Sequence, residues 1–244
     1  MKKELLKDVT FLIPVRFDSV VRLENARAVV SFIDKHFDTH IRILEASPQC
    51  NGIFRSLIRK KAEYSHIEDH DIIFHKTRYT NILAKKVDTP FFSVWDADVL
   101  ADTKQIVDAV EELRNQQADM AYPYDGSFLD TSDIIRKLYL EKENIKVLHR
   151  YKNYMDLLYG RGVKGGAVFI NTSKYLMAGM DNEDFYGWGN EDYERFFRFE
   201  SLGYKIYRSP GILFHLSHPR DLNGSYRNNT QYLWTTDQLR KIKK

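Results

Sequence analysis

The first 115 residues of the chain alternate between short apolar runs and stretches in which apolar positions recur every three or four residues. Short apolar runs are typical of buried strands, and the longer spacing is typical of amphipathic helices. The runs predict strands at 9–15, 41–44, 72–74 and 91–95. The periodic stretches predict helices at 20–32, capped by Ser19, and at 51–62, 80–86 and 103–115. Because strands and helices alternate, the pattern predicts an α/β fold with a mostly parallel central sheet.

The second half of the chain has a less regular pattern. It begins with a polar, turn-rich stretch at 122–133 and a stretch at 134–159 that resembles a helix. A glycine-rich loop at 160–166 leads into the remaining elements. These are predicted strands at 167–171, 205–207 and 212–216 and a predicted helix at 191–202. The basic residues 240–244 predict a frayed tail, with a weak contact to a membrane surface as the alternative.

Composition narrows the class of protein. Hydrophobic residues make up 43% of the chain and charged residues 29%, as in ordinary globular proteins. A net charge of +3 is too small to indicate a nucleic-acid binder. Cys50 is the one cysteine, so no intrachain disulfide can form. The polar first ten residues and the absence of an apolar run of about 18 residues predict a cytoplasmic protein, at most peripheral to the inner face of a membrane.

Two aspartates follow the predicted strand at 91–95. If the chain stays extended, Asp96 and Asp98 point to the same side, just beyond the carboxyl end of a strand, where open α/β sheets bind ligands. Two carboxylates so near each other need a cation between them. A divalent metal that bridges to a diphosphate supplies one. The alternative is that Asp98 caps a helix or that both are ordinary loop residues.

The segment 186–192 reads Tyr-Gly-Trp-Gly-Asn-Glu-Asp and is the most specific motif of the chain. Its glycines allow a sharp turn that presents Trp188, whose indole could stack on the apolar face of a sugar. Glu191 and Asp192 then open a helix, where the dipole keeps a carboxylate ionised, as a general base requires. A helix N-terminus with a packed Trp is the structural alternative.

Two histidines end the predicted strand at 212–216. His215 and His218 are three residues apart and cannot share a strand face, so the chain must bend here, consistent with Pro219. Imidazole together with carboxylate suits Mn²⁺ beside an oxygen-rich diphosphate. A histidine is more often a satisfied polar residue, but two of them beside the other motifs favour metal ligation, with His218 the safer assignment.

These motifs resemble the catalytic domain of β-1,4-galactosyltransferases and their bacterial relatives. The resemblance is strongest over 165–220 and includes 96–98. Pro14 and Arg16 resemble the family's uridine-binding turn, and Arg78 resembles its phosphate-side arginine. Asn190 stands where the animal enzymes have glycine, and Tyr193 where they have an acidic residue, which leaves the acceptor open.

The resemblance implies a GT-A fold, with 1–244 as a single catalytic domain. Residues 1–100 would form the nucleotide-sugar-binding half and 101–244 the half that binds the acceptor and completes the metal site. The implied roles are Asp192 as base with Glu191 beside it; Asp98, His218 and His215 on Mn²⁺ or another divalent metal; Pro14, Arg16, Arg78, Asp96, Asp98, Val163, Gly165 and Gly166 on the donor; and Tyr186, Trp188 and Gly189 on the acceptor.

The implied reaction is transfer of galactose or N-acetylgalactosamine, with inversion, from a UDP-sugar to a hydroxyl of a glycan or glycolipid acceptor. Three alternatives remain open. Retaining polypeptide N-acetylgalactosaminyltransferases share the fold but carry Asp-x-His where this chain has Asp96-Ala97-Asp98. A non-catalytic nucleotide- or glycan-binding module would lack a base or a metal ligand. A metal phosphoesterase would need a denser set of His and Asp.

Overall fold

Two β-sheets and the helices around them make up the computed structural model, which describes residues 2–220 and 222–242. The larger sheet has seven strands in the order β10-β6-β9-β4-β1-β2-β3, and the smaller has four in the order β5-β11-β7-β8. The strands are β1 (Glu4–Val15), β2 (Phe37–Ser47), β3 (Glu63–Glu68), β4 (Phe91–Trp95), β5 (Val99–Ala101), β6 (Met120–Tyr122), β7 (Ser127–Asp130), β8 (Asp156–Leu157), β9 (Ala167–Asn171), β10 (Ile206–Arg208) and β11 (Ile212–His215).

The helices bury their apolar faces against the sheets. In α4 the buried positions Ile106, Ala109, Val110 and Leu113 recur at helical spacing, and Asp102 caps the helix by accepting a hydrogen bond from the Lys104 amide. The helices are α1 (Val20–His36), α2 (Gly52–Ile58), α3 (Lys76–Ala84), α4 (Thr103–Arg114), α5 (Asp133–Lys142), α6 (Lys146–Tyr151), α7 (Thr172–Met177), α8 (Glu191–Ser201) and α9 (Asn229–Ile242), with a 3₁₀ turn at Lys152–Tyr154.

The larger sheet is parallel except at β9. Strands β4, β1, β2 and β3 run in one direction as neighbours, whereas β9 pairs antiparallel with both β4 and β6. The carboxyl ends of β1, β2 and β4 therefore meet at one edge. The smaller sheet is joined to this edge because the Leu216 amide donates to the Asp98 carbonyl (2.7 Å). Motifs that lie far apart in the sequence converge there.

The predicted α/β class with a mostly parallel sheet is confirmed. The predicted strand at 72–74 is wrong: the third strand is β3, and 72–74 lies in the turn that follows it. The residues of β3 are mostly polar, with Tyr64 and Ile67 the two apolar ones, and none is fully buried, because β3 is an edge strand that pairs only with β2. A prediction that looks for continuous apolar runs therefore misses this strand.

Two further predictions in the second half are wrong. The stretch 134–159 is not one helix but α5, α6, a 3₁₀ turn and β8, because Glu143 adopts a left-handed conformation (φ 44°) that ends α5. The turn-rich stretch 122–133 contains β7. Residues 240–242 belong to α9 rather than to a frayed tail, and 243–244, like Asp221, lie outside the described residues.

Candidate active site

A cavity of about 690 Å³ opens at the carboxyl edge of the larger sheet, against the smaller sheet. Its size is that of a typical small-molecule site. The lining draws on both halves of the chain and brings together most of the predicted site residues. Those that line it are Pro14, Arg16, Asp96, Asp98, Val163, Gly165, Gly166, Trp188, Gly189, Glu191, Asp192, His215 and His218.

One group of side chains in the cavity could hold a metal ion. One ligand atom from each of Asp98, His215 and His218 lies within 4.8 Å of the others. His218 Nε2 is 3.1 Å from Asp98 Oδ2, and His215 Nε2 is 3.8 Å from the same oxygen. The two imidazoles come together because β11 ends at His215 and the chain then bends, as predicted.

The other nitrogen of each imidazole has its own partner. His215 Nδ1 lies 2.7 Å from Asp130 Oδ1, and His218 Nδ1 lies 2.8 Å from the Pro219 carbonyl oxygen. Such partners hold metal-binding histidines in one tautomer and leave Nε2 to face the ion. A carboxylate and two imidazoles presented in this way fit Mn²⁺ or a similar divalent metal.

The charges of this group support one another. Burial alone would raise the pKa of Asp98, but the positive charges of His215 and His218 outweigh it and hold that pKa well below its ordinary value. For His218, burial lowers the pKa, but the hydrogen bond to Asp98 outweighs it and raises the pKa above the ordinary value. Asp98 is therefore ionised at neutral pH, which is the state that binds a cation.

A second group of carboxylates surrounds Lys76, at the start of α3. Lys76 Nζ lies 2.8 Å from Asp96, 3.5 Å from Asp192 and 4.0 Å from Glu191. The chain turns directly after β4, so Asp96 and Asp98 do not extend side by side as expected. Asp96 pairs with the lysine and Asp98 with the histidines.

The carboxylates around Lys76 differ in their protonation. Burial and the neighbouring Asp192 raise the pKa of Glu191 to about 7. Burial would also raise the pKa of Asp192, but Lys76 and Arg195 outweigh it and lower that pKa below its ordinary value. Arg195 Nη1 donates to Asp192 at 2.8 Å. Asp192 is thus held ionised, while its neighbour Glu191 is partly protonated near neutral pH.

Glycine is required where the loop before β9 passes the carboxylate of Asp192. A Cβ at Gly165 would lie 2.7 Å from Asp192 Oδ2, and one at Gly166 would lie 2.6 Å from a methyl group of Leu213. The Tyr124 hydroxyl lies within hydrogen-bond distance of the carbonyls of Val163 (2.9 Å) and Gly165 (2.6 Å), which share its single proton, and so fixes this loop. The cavity-facing position of Val163 follows from that anchoring.

Three aromatic rings, those of Tyr159, Trp188 and Tyr226, form a wall of the cavity. The Trp188 ring lies 5.9 Å from that of Tyr159 and 5.3 Å from that of Tyr226. Gly189 lies so close under the Tyr226 ring that a side chain there would overlap it. Half-exposed aromatic rings of this kind provide flat apolar surfaces on which sugars can stack.

The C-terminal helix α9 holds the Trp188 loop in place. Buried Gln231 donates from Nε2 to the carbonyls of Tyr186 (3.0 Å) and Trp188 (3.2 Å). Asn190, in a left-handed conformation (φ 67°), donates to the Thr235 hydroxyl at 3.1 Å. The backbone that presents Trp188 therefore depends on side chains more than 40 residues further along the chain.

We expect Gln231→Leu to raise the acceptor KM and to leave donor binding unchanged. Leucine has a similar size but cannot donate to the two carbonyls, so the Trp188 loop loses its anchor. The measurement is acceptor and donor KM for both proteins, with melting temperatures to check folding. Gln238→Leu, two turns further along α9, is the matched control. Equal KM values in wild type and Gln231→Leu would contradict this role.

Arg16 and Pro14 lie at the end of β1 in the cavity lining. Arg16 is held rather than free: it donates to the Ala46 carbonyl (2.8 Å), to the Asp71 carbonyl and to Asp69 (2.9 Å). The guanidinium also lies 5.9 Å from the centre of the Phe74 ring. Arg16 therefore forms part of the cavity wall, on the side of the larger sheet that contains β1, β2 and β3.

Two predicted residues lie outside the lining. Arg78 is exposed, because on α3 the inward-facing position is Lys76, two residues earlier. Tyr186 also lies outside the lining, and its hydroxyl donates a hydrogen bond to Asp71. Conversely, sequence analysis did not identify Lys76, Asp130, Tyr226 or Gln231.

A family model described as the N-terminal domain of galactosyltransferase matches residues 148–220. Those residues include the loop before β9, the Trp188 segment and both histidines. This segment is similar to galactosyltransferases, and the chain as a whole has the GT-A fold. No curated protein sequence matches this chain.

Solved structures of glycosyltransferases have the same fold. The catalytic domain of Drosophila β1,4-galactosyltransferase 7 with xylobiose has a TM-score of 0.54 at 14% identity, covering 96% of this chain and 79% of that one. A mutant of that enzyme with manganese, UDP-Gal and xylobiose has a TM-score of 0.58 at 12% identity, covering 94% of this chain and 79% of the mutant's chain. A Pyrobaculum calidifontis mannosyltransferase with GDP-Man and Mn²⁺ has a TM-score of 0.57 at 14% identity, covering 88% of this chain and 58% of the mannosyltransferase chain. At these identities the similarity establishes the fold.

Among the described residues, no helix of this GT-A domain is both long enough and apolar enough to cross a bilayer.

Proposed function

We propose that this GT-A domain transfers galactose or N-acetylgalactosamine from a UDP-sugar to a hydroxyl group of a glycan or glycolipid acceptor, with inversion at the anomeric carbon. The observation that carries the proposal is the pairing of two groups in one cavity. A carboxylate held ionised, Asp192, shares the cavity with Asp98, His215 and His218, which suit a divalent metal.

In this mechanism Asp192 accepts the proton of the acceptor hydroxyl as that oxygen attacks the anomeric carbon. Lys76 and Arg195 keep its carboxylate ionised and fixed in orientation. A lowered pKa makes Asp192 a weaker base but guarantees that it is free to accept. Glu191 accepts a hydrogen bond from the Gly189 amide (2.9 Å) and so fixes the loop that carries Trp188.

Asp98, His218 and His215 would hold the metal, and the neighbouring Asp96 would face the donor sugar. A bound Mn²⁺ would act as a Lewis acid that stabilises the negative charge of the departing UDP. The chain's own residues prepare that site, because Asp130 and the Pro219 carbonyl orient the two imidazoles. Structural relatives solved with Mn²⁺ and nucleotide sugars support this assignment.

The test is a panel of UDP-sugars incubated with simple glycans, with Mn²⁺ or with EDTA, and with UDP release as the signal. We expect acceptor-dependent release from UDP-galactose or UDP-N-acetylgalactosamine that EDTA abolishes. NMR of the fresh product should show the anomeric configuration inverted. UDP binding without turnover for any acceptor would indicate a binding module, and a retained configuration would indicate the other stereochemical class.

Val163 provides a prediction about the donor. It is buried beside the loop glycines and lines the cavity. By the resemblance to β-1,4-galactosyltransferases, it stands at the position where galactose-specific members carry Tyr. Valine leaves room for an N-acetyl group at C2 of the sugar, and a phenol ring would fill it. We expect the wild type to use UDP-N-acetylgalactosamine at least as well as UDP-galactose, and Val163→Tyr to shift preference towards galactose. The measurement is kcat/KM for both donors, and an unchanged ratio would reject this role.

A further inference from the structure

A strongly basic stretch surrounds α2, the short helix that follows β2. Residues 46–62 contain Arg55, Arg59, Lys60 and Lys61 and no Asp or Glu. The stretch carries a charge of +4 in a chain whose net charge is +3, so the remaining residues sum to −1. The stretch is therefore a local concentration of positive charge.

The same helix exposes two large aliphatic side chains. Ile53 is 70% exposed and Leu57 46%, and their spacing of four residues places them on one face. Phe54 and Ile58 are fully buried and anchor the opposite face in the core. We call the exposed group the α2 patch: it comprises Ile53, Arg55, Leu57, Arg59 and Lys60, all of them exposed.

The α2 patch lies at the edge of the sheet where the cavity opens. Strands β1, β2 and β3 are parallel neighbours, so the segments that follow their carboxyl ends share that edge. Each of these segments exposes at least one branched aliphatic residue, with Val20 (72%), Ile53 (70%) and Ile72 (71%) the most exposed. In addition, Phe54 packs against Phe17, a residue of the cavity lining, with the rings tilted and their centres 4.5 Å apart.

We propose that the α2 patch docks on the surface of an anionic lipid bilayer and turns the cavity mouth towards that surface. Exposed aliphatic side chains enter the boundary between headgroups and acyl chains, while flanking Arg and Lys attract anionic headgroups. An anionic polymer would use the cations but would gain nothing from Ile53 and Leu57. The combination of a basic surface with an aliphatic pair therefore favours a bilayer.

This docking has a consequence for the acceptor, and that consequence rests on the proposed function. A cavity held at the bilayer surface would receive an acceptor carried on a lipid. Docking itself requires no catalysis and is tested separately.

The test is flotation of the full chain with phosphatidylcholine vesicles that contain or lack phosphatidylglycerol. We expect binding only when the anionic lipid is present. Each basic residue near such a surface contributes roughly fivefold to partitioning, so Arg55→Glu/Arg59→Glu/Lys60→Glu should lower binding by about 100-fold or more. The control is Lys137→Glu/Lys142→Glu/Lys146→Glu, which changes the net charge equally at exposed lysines on α5 and α6 and should retain most binding. Equal losses in both triple variants would overturn the proposal, as would absence of wild-type binding.

A second variant tests the choice of occupant. Ile53→Ser/Leu57→Ser keeps every charge and changes only exposed side chains, so folding should be preserved, which the melting temperature checks. We expect this variant to bind anionic vesicles at least tenfold more weakly. Undiminished binding would indicate a polyanion site instead of a bilayer site. Light scattering that shows a wild-type dimer and a monomeric serine variant would indicate a second copy of the chain as the occupant.

Activity assays separate this inference from the proposed function. Both patch variants should match the wild type on a water-soluble glycan, because the mutated residues lie outside the cavity lining. Both should turn over a vesicle-bound glycolipid more slowly than the wild type. Vesicle binding without any transferase activity would support docking and reject the proposed function. Transferase activity without vesicle binding would support the proposed function and reject docking.

Discussion

Asp192→Asn should fold and bind UDP with Mn²⁺ but lose turnover by about 10²- to 10⁴-fold, which is the typical contribution of a general base. Asparagine has the same shape but cannot accept the proton of the acceptor hydroxyl. The fold should survive because Arg195, which pairs with Asp192, also forms two hydrogen bonds with Asp181 (2.6 and 2.7 Å). The measurements are kcat with saturating substrates and calorimetry of UDP binding in the presence of Mn²⁺.

Glu191→Gln is the matched comparison for this prediction. The two carboxylates are neighbours in sequence and both approach Lys76, but burial raises the pKa of Glu191 to about 7, whereas that of Asp192 is lowered. Glutamine resembles the protonated form that Glu191 already samples, so its effect on kcat should be much smaller. A large loss for Glu191→Gln combined with near-normal turnover for Asp192→Asn would transfer the role of base to Glu191.

The motifs that could be predicted from sequence are those whose geometry is local. The segment 187–192 turns at its own glycines, which have positive φ, and β11 places His215 and His218 within one bend. Asp98 follows a buried strand and so falls at the carboxyl edge of the sheet. For these residues, the pattern of the chain and the family resemblance agree with where the structure places them.

The partners of those residues could not be predicted, because they come from distant elements. Lys76 contacts Asp192 across 116 residues, Asp130 contacts His215 across 85, and Gln231 contacts the Trp188 carbonyl across 43. Nothing local in α3, β7 or α9 indicates these contacts. The antiparallel insertion of β9 between β4 and β6 is equally invisible, since a buried strand has the same apolar pattern in either direction.

Asp98→Ala and His218→Ala should each weaken Mn²⁺-dependent UDP binding by at least about 100-fold, and turnover should fall with it. Loss of a partner that only orients a ligand typically costs about 10- to 100-fold, so loss of a ligand itself should cost at least as much. Asp130→Asn tests that lesser effect, because it removes the carboxylate that orients His215. Calorimetry with Mn²⁺ and UDP, separately and together, measures each loss.

His149→Ala is the matched control for the metal-site variants. His149 Nε2 also lies close to a carboxylate, that of Asp102 (3.1 Å), but this pair lies outside the cavity lining. The His149→Ala variant should therefore leave Mn²⁺ and UDP binding unchanged. Because Asp98 is buried between two histidines, Asp98→Ala removes a charge that they share, so Asp98→Asn is measured beside it to separate loss of charge from loss of packing. Full affinity for Mn²⁺ and UDP in Asp98→Ala and His218→Ala would mean that this group is an internal ion pair, and the chemistry at Asp192 would then have to proceed without a metal held by these residues.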